Sequence, residues 1–190
     1  MFIKCDKVTK ENLELAIKIQ NIIFPKENGA LNLKASVDNS LNEKAYGKNF
    51  RKSADYWLCK NERDEDIGIT GIYSYQEYLG DAWCGWFGIL PAHQGQRYGK
   101  TLFLWTMEEA KKMGFENFRL YTDLIDNKTA VNLYKKVGMI EEPYVAEDMG
   151  DEKIVIFSKS LISDNFQKFG NKKLFLKKQE EIQAKANLEE

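Results

Sequence analysis

The segment "PAHQGQRYGKT" (91–101) concentrates residues suited to handling phosphate. It ends in Gly-Lys-Thr, as a nucleotide-binding P-loop does. A P-loop, however, reads Gly-x-x-x-x-Gly-Lys-[Ser/Thr], and its first glycine shapes a wide turn around the β-phosphate. Gln94 stands where that glycine belongs. An apolar strand ending in a magnesium-binding acid should also follow. "FRLYTD" does end in Asp123, yet Arg119, Tyr121 and Thr122 interrupt the apolar run. The same residues support a different use. A strand ends at Pro91, and a short loop containing Gly95 and Gly99 leads straight into a helix. Backbone N–H groups in such a loop, with the positive end of the helix dipole, form an anion site. Glycine lets the chain approach phosphates closely, and Arg97 and Lys100 add charge. An ordinary strand-to-helix turn shares this composition, so the loop alone does not separate the readings.

The elements around the loop follow from periodicity. Residues 2–6 form a short first strand. Thr9 is placed as an N-cap with Glu11 in the first turn. Leu13, Ala16, Ile17, Gln20, Ile23 and Phe24 then follow at helical spacing until Pro25 and Gly29 end the helix. Residues 31–46 are polar and Asn-rich, a weaker helix and then a loop. "DYWLCK" (55–60) and "IGITGIYSY" (67–75) read as a hairpin about the charged turn 61–66. After the turn "QEYLGD" comes "AWCGWFGIL" (82–90), a nearly all-apolar strand interrupted by Gly85 and Gly88. These glycines imply either a bulge or close packing under a helix. Phe103, Met107, Ala110 and Met113 form a helical stripe that stops at Gly114. "FRLYTDL" (118–124) is a strand. Ala130, Leu133, Tyr134 and Val137 share one helix face, with Asp126 or Asn127 as cap and Gly138 as stop. Residues 139–161 hold two final strands. The Lys/Gln/Glu-rich stretch 162–190 is expected to be a helical or disordered extension. The order of elements implies a single α/β domain over 1–161, a mixed sheet with helices on its faces.

Composition narrows the partners. The 190 residues carry a net charge of −1 and are 43% hydrophobic. No nucleic-acid or membrane partner is indicated. No apolar run reaches the roughly 18 residues of a membrane span, and the N-terminus lacks a signal-peptide pattern. Cys5, Cys59 and Cys84 are widely spaced and lack a CxxC pair, so they are expected to be reduced thiols in a cytoplasmic protein. With one histidine in the chain, a structural zinc site is not expected, nor any other metal.

Gln94-Gly95-Gln96-Arg97-Tyr98-Gly99 resembles the [Arg/Gln]-x-x-Gly-x-[Gly/Ala] signature of the GCN5-related N-acetyltransferases (GNAT). "NKTAVNLYKKVGM" (127–139) is similar to that family's Asn-x-x-Ala-x-x-Leu-Tyr-x-Lys-x-Gly-[Phe/Met] segment, with Asn127, Ala130, Leu133, Tyr134, Lys136 and Gly138 in register. The specific match covers about residues 83–139. It implies a mostly antiparallel sheet of about six to seven strands, splayed at its centre, with about four flanking helices. It implies acetyl-coenzyme A as acyl donor, its diphosphate held at Gln94, Gly95, Gln96, Arg97, Tyr98, Gly99, Lys100 and Thr101. Amides of Phe87, Ile89 or Leu90 would face the pantetheine or acetyl oxygen. Asn127 and Lys136 would lie near the cofactor, although Asn127 also reads as a simple cap. Where this chain has Arg97 the family usually has glycine. Arginine is expected to avoid positive φ there and to add a phosphate contact.

The resemblance also assigns chemistry. Tyr134, by its residues alone a core tyrosine, would protonate the departing coenzyme A thiolate; its ordinary pKa of about 10 suits a thiol of about 8.5. The family's strand-borne acid aligns with Trp83, which cannot act as a base. Asp81 and Glu77 are the substitutes, and either can instead be a solvated turn residue. Trp83, Trp86, Tyr73 and Tyr75 could floor an amine site. The acidic run 140–152 could attract a cationic acceptor or be a solvated hairpin. The expected protein is an N-acetyltransferase acting on a small-molecule or peptide amine, as a monomer or homodimer. A non-catalytic acyl-coenzyme A sensor and an NTPase are the alternatives.

Overall fold

The computed structural model describes residues 2–46, 53–123, 127–144, 154–163 and 167–170. The chain runs β1 (Ile3–Lys7), α1 (Leu13–Ile23), α2 (Ala30–Val37), α3 (Asn42–Tyr46), β2 (Ser53–Asn61), β3 (Asp66–Ser74), β4 (Asp81–Cys84), β5 (Gly88–Ile89), α4 (Tyr98–Lys112), β6 (Asn117–Asp123), α5 (Lys128–Lys136), β7 (Ile140–Pro143) and β8 (Ile154–Ser160). The strands make one eight-stranded sheet in the order β1-β2-β3-β4-β6-β8-β7, with β5 also paired to β3. Every pairing is antiparallel except β4 with β6. If β4 and β5 count as halves of one interrupted strand, the sheet has the expected size.

Two layers of helices bury its faces. On one side α4 packs Leu102, Phe103, Met107 and Ala110 against Ile72, Ala82 and Phe118, and α5 joins this cluster through Tyr134 and Val131. A buried hydroxyl pair, Thr70 to Thr106 at 2.8 Å, ties α4 to β3. On the other side Ala16, Ile19 and Leu33 of α1 and α2 cover Tyr56, Leu58 and Ile69. The end of α5 is fixed by Gly138 at φ 79°. There the N–H of Gly138 donates to Lys135 O, and that of Met139 to Tyr134 O. These paired bonds close the last turn and satisfy its free carbonyls.

Two expectations change here. Helix α1 starts at Leu13 with Asn12 as its N-cap residue, not Thr9. The Thr9 hydroxyl donates to Glu11 and its N–H to Asn12 Oδ1, which makes a preceding turn. Cys5 and Cys59 are not thiols: the β1–β2 register sets them directly opposite, and they are joined as a disulfide, leaving Cys84 free. Of the stretch 162–190, residues 167–170 dock on the sheet. Phe169 is 1% exposed and packs edge-on to Trp83 and Tyr78.

That docking belongs to a buried polar cluster. Arg119 on β6 is 1% exposed. Its Nε lies 2.8 Å from Asp81 Oδ2, and its Nη1 donates to Ser158 Oγ at 2.8 Å and Gln167 O at 3.0 Å. Glu142 Oε1 accepts from Ser158 Oγ and from the Phe169 N–H. Asp81 Oδ1 accepts from Asn117 Nδ2 at 2.9 Å. The cluster pins β4, β6, β7, β8 and residues 167–170 together. Arg119→Ala would strand two buried carboxylates and should destabilise the fold by about 3–5 kcal/mol, read from urea denaturation.

Candidate active site

The site begins where the sheet stops being continuous. Asp81–Trp83 pair with Asn117–Arg119. Beyond them β6 continues beside β8 to Asp123, while β5 pairs with β3 alone. Residues 85–87 carry the break, and Gly88 packs directly under Ile23 of α1. Both readings of the two glycines therefore hold, one for each. β5 and β6 diverge, and a cleft of about 390 Å³, lined by residues 84–87 and 120–122, opens at the break.

The cleft runs through the sheet. Tyr134 and Cys84 line it from the α4/α5 side; Phe24, Glu27, Asn32 and Trp86 line it from the α1/α2 side. Tyr134 is 7% exposed, wedged between Phe103 and Phe157 with ring centres 5.0 and 5.4 Å away. Burial, with the nearby Cys84 adding to it, pushes its phenol pKa well above the ordinary value. Burial likewise raises the Cys84 thiol, which makes a thiolate nucleophile unfavourable there.

The chain that leads from the break to α4 carries backbone donors. Leu90 N–H bonds Ile67 O at 2.8 Å, so it is not free for a ligand and leaves the expected set. Antiparallel alternation then turns the Ile89 N–H away from β3 toward the opening. Farther on, Gln94 Nε2 donates to Ile89 O at 3.0 Å and Gln96 Nε2 to Ala92 O at 3.3 Å. Among the described residues, no acceptor is present for the N–H groups of Gly95, Gln96, Arg97, Tyr98, Gly99 and Lys100. The row opens α4, where the dipole is positive. Gly95 sits at φ 75°, which L side chains rarely adopt. Arg97 sits at φ 65°, ψ 2°. The expectation that arginine avoids positive φ is therefore wrong: the position requires the left-handed conformation that glycine prefers.

The other expected residues separate. The Tyr98 ring is core, with its hydroxyl 3.4 Å from Glu62. Thr101 Oγ1 bonds Arg97 O. Asn127 lines the cleft at the N-cap position of α5 but makes no side-chain cap bond. Lys136 is exposed on α5. Asp81 is neither a cleft residue nor solvated; its carboxylate is held by Arg119 and Asn117. Glu77 is exposed in the β3–β4 turn, off the cleft. Neither is placed to act as base. Of the four aromatics, Tyr73 and Trp86 reach the cleft, whereas Trp83 and Tyr75 pack with Phe169. Glu142 is buried in the polar cluster and Glu141 pairs with Lys135 at 2.7 Å; residues 145–152 of the acidic run lie outside the described residues. Glu27 was missed. It sits in an unremarkable polar turn, and only the tertiary approach of the α1–α2 loop to the β4–β5 break brings it to the cleft.

A broken strand, a donor-lined loop and a buried tyrosine across the gap define an acyl-transferase type of site rather than a nucleotide-hydrolysing one. Residues 20–139 match the Acetyltransferase (GNAT) family, and the chain belongs to that family. A mycothiol acetyltransferase of Renibacterium salmoninarum is 33% identical over 91 residues, 45% of this chain and 26% of that protein. The chain thus matches about a quarter of that relative's length. The spermidine N-acetyltransferase of Vibrio cholerae, solved with CoA and spermine, superposes with TM-score 0.62 over 84% of this chain and 95% of that one, at 15% identity. A Desulfovibrio desulfuricans protein assigned to the same family gives 0.64 over 84% of this chain and 99% of that one, at 14% identity. Those two likenesses concern the fold. No helix among the described residues is long and apolar enough to cross a membrane.

The left-handed residue yields a stability test. An L residue in that conformation costs roughly 1–2 kcal/mol, of which glycine's extra unfolded-state freedom offsets about 0.5–1. Arg97→Gly should therefore stabilise the ligand-free protein by about 0.5–1 kcal/mol in urea denaturation.

Proposed function

We propose that this chain moves an acetyl group from acetyl-coenzyme A to an amine by direct attack. The observations that carry the reading are the row of unbonded N–H groups at 95–100 and the cleft that Tyr134 lines from one side. In this reading the row grips the diphosphate, with Arg97 and Lys100 adding charge. Asn127 and Lys136 border the donor, and the Phe87 and Ile89 amides face the pantetheine arm. The thioester then lies along β5 with its carbonyl in the gap, and held geometry supplies much of the rate.

The amine enters from the α1/α2 face and attacks the carbonyl. A backbone N–H on the β5 edge stabilises the oxyanion. As the C–S bond breaks, the Tyr134 phenol gives its proton to the sulfur. Because its pKa is raised, the phenol stays protonated through and above neutral pH and so holds the proton that the sulfur takes. A nearly buried tyrosine lining the cleft suits this role.

Two measurements test the reading. Coenzyme A at about 100 times its dissociation constant should stabilise the fold by about 2.7 kcal/mol, while ATP has no effect; equal shifts from both would restore a nucleotide site. Tyr134→Phe should lower kcat by about a hundredfold with little change in KM for the donor. If the variant turns over like the wild type from pH 6 to 9, the proton comes from elsewhere.

A further inference from the structure

The α1/α2 wall of the cleft is unusual in composition. Its aromatic surfaces, Phe24 and Trp86 with ring centres 5.1 Å apart and Tyr56 beside them, surround one acid, Glu27. No other carboxylate is among the described lining residues. Glu27 is exposed as a residue, yet its carboxyl is shielded enough that desolvation raises its pKa. The turn that carries it is anchored from beneath. Gln20 on α1 is fully buried; its Nε2 donates to Glu27 O at 3.3 Å and its Oε1 accepts from Gly29 N–H at 3.2 Å. Gly29 fits against Trp86 so closely that a Cβ there would lie 2.8 Å from the indole. A buried glutamine bonded at both ends is a costly device for an ordinary surface turn, and here it fixes the backbone of the turn that carries the one acid among the described lining residues.

We infer that Glu27 binds the acceptor's ammonium and takes its first proton, so that the acceptor is an aliphatic primary amine, cationic in solution, carried on an apolar body that the aromatic wall covers. The inference rests on the acetyl-transfer reading and assigns its missing base. The protons balance. The ammonium gives one proton to Glu27 and thence to solvent, and the free amine forms the C–N bond. The C–S bond breaks, the sulfur takes the Tyr134 proton, and the second amine proton restores the phenol through water. A carboxylate below the amine's pKa of about 10 can do this because attack follows at once and drains the free amine. Ring faces stabilise the cation before it is discharged.

The test compares wild type with Glu27→Gln on two acceptors, phenethylamine, which is cationic at neutral pH, and aniline, which is already neutral. Thiol release is followed from pH 6 to 9.5. Glu27→Gln should lower kcat/KM for phenethylamine by about a hundredfold and move the rise of its pH profile toward the free amine, while aniline changes less than about threefold. Glu27→Asp should recover part of the loss and keep the low-pH limb. Equal losses on both acceptors with a lowered unfolding midpoint would make Glu27 structural and overturn the inference. So would unchanged phenethylamine kinetics. If the wild type binds coenzyme A but acetylates neither amine, the acceptor inference is overturned; if it releases no thiol with a broad panel of small-molecule and peptide amines either, it is the acetyl-transfer reading that fails.

Discussion

Everything at the site depends on one change of partner. β4 pairs with β6 through Asp81–Trp83 and with β3 through Trp83 and Cys84, whereas its continuation, β5, pairs on only one edge. A strand with a free edge inside a sheet leaves amides without acceptors and side chains without a neighbour layer, which native sheets normally avoid. Here the vacancy is what joins the two faces. Tyr134 reaches it from the helix layer of α4 and α5, and Glu27 from that of α1 and α2. Two groups on opposite sides of a sheet can act on one reaction only because the sheet is interrupted between them.

The buried cluster around Arg119 sits where the pairing of β4 with β6 is still intact. Charges taken out of water seldom stabilise a fold more than apolar residues of the same size would. Their value lies in definition: Arg119 has one geometry that serves Asp81, Ser158 and Gln167 together. That geometry fixes the end of the gap. It also draws Phe169 onto Trp83, so a part of the chain remote in sequence supports the floor of the sheet beside Tyr73.

The sequence was most legible where local chemistry decides. Gly114 and Gly138 marked helix ends, the apolar stripes marked α4 and α5, and Gly85 with Gly88 marked the strand break. The loop at 94–100 was readable as a turn into a helix because Gly95 and Gly99 bracket the start of α4. What failed depended on register or on tertiary approach. Nothing local says that Cys5 faces Cys59, since 54 residues separate them. Nothing local distinguishes Asp81 in an exposed turn from Asp81 against a buried arginine. Glu27 lies in a turn like many others until Gln20 and Trp86 fix its place, and Leu90 looked available until its N–H met Ile67.

Arg97 shows how far a local rule can bend at such a place. Helices usually start from an extended residue whose serine, threonine or aspartate side chain caps the first free N–H groups. Helix α4 starts from an arginine that caps nothing and holds a left-handed backbone. Both departures are unfavourable, and both fall on one residue. A left-handed residue entering a right-handed helix turns successive N–H groups toward the same side, which makes a concavity for an anion. An arginine there adds a guanidinium at the rim. A side-chain cap would satisfy one of those donors from within the chain and close the concavity. The departures from ordinary helix practice therefore fall together on the residue that begins α4, which is where the proposed function puts the diphosphate.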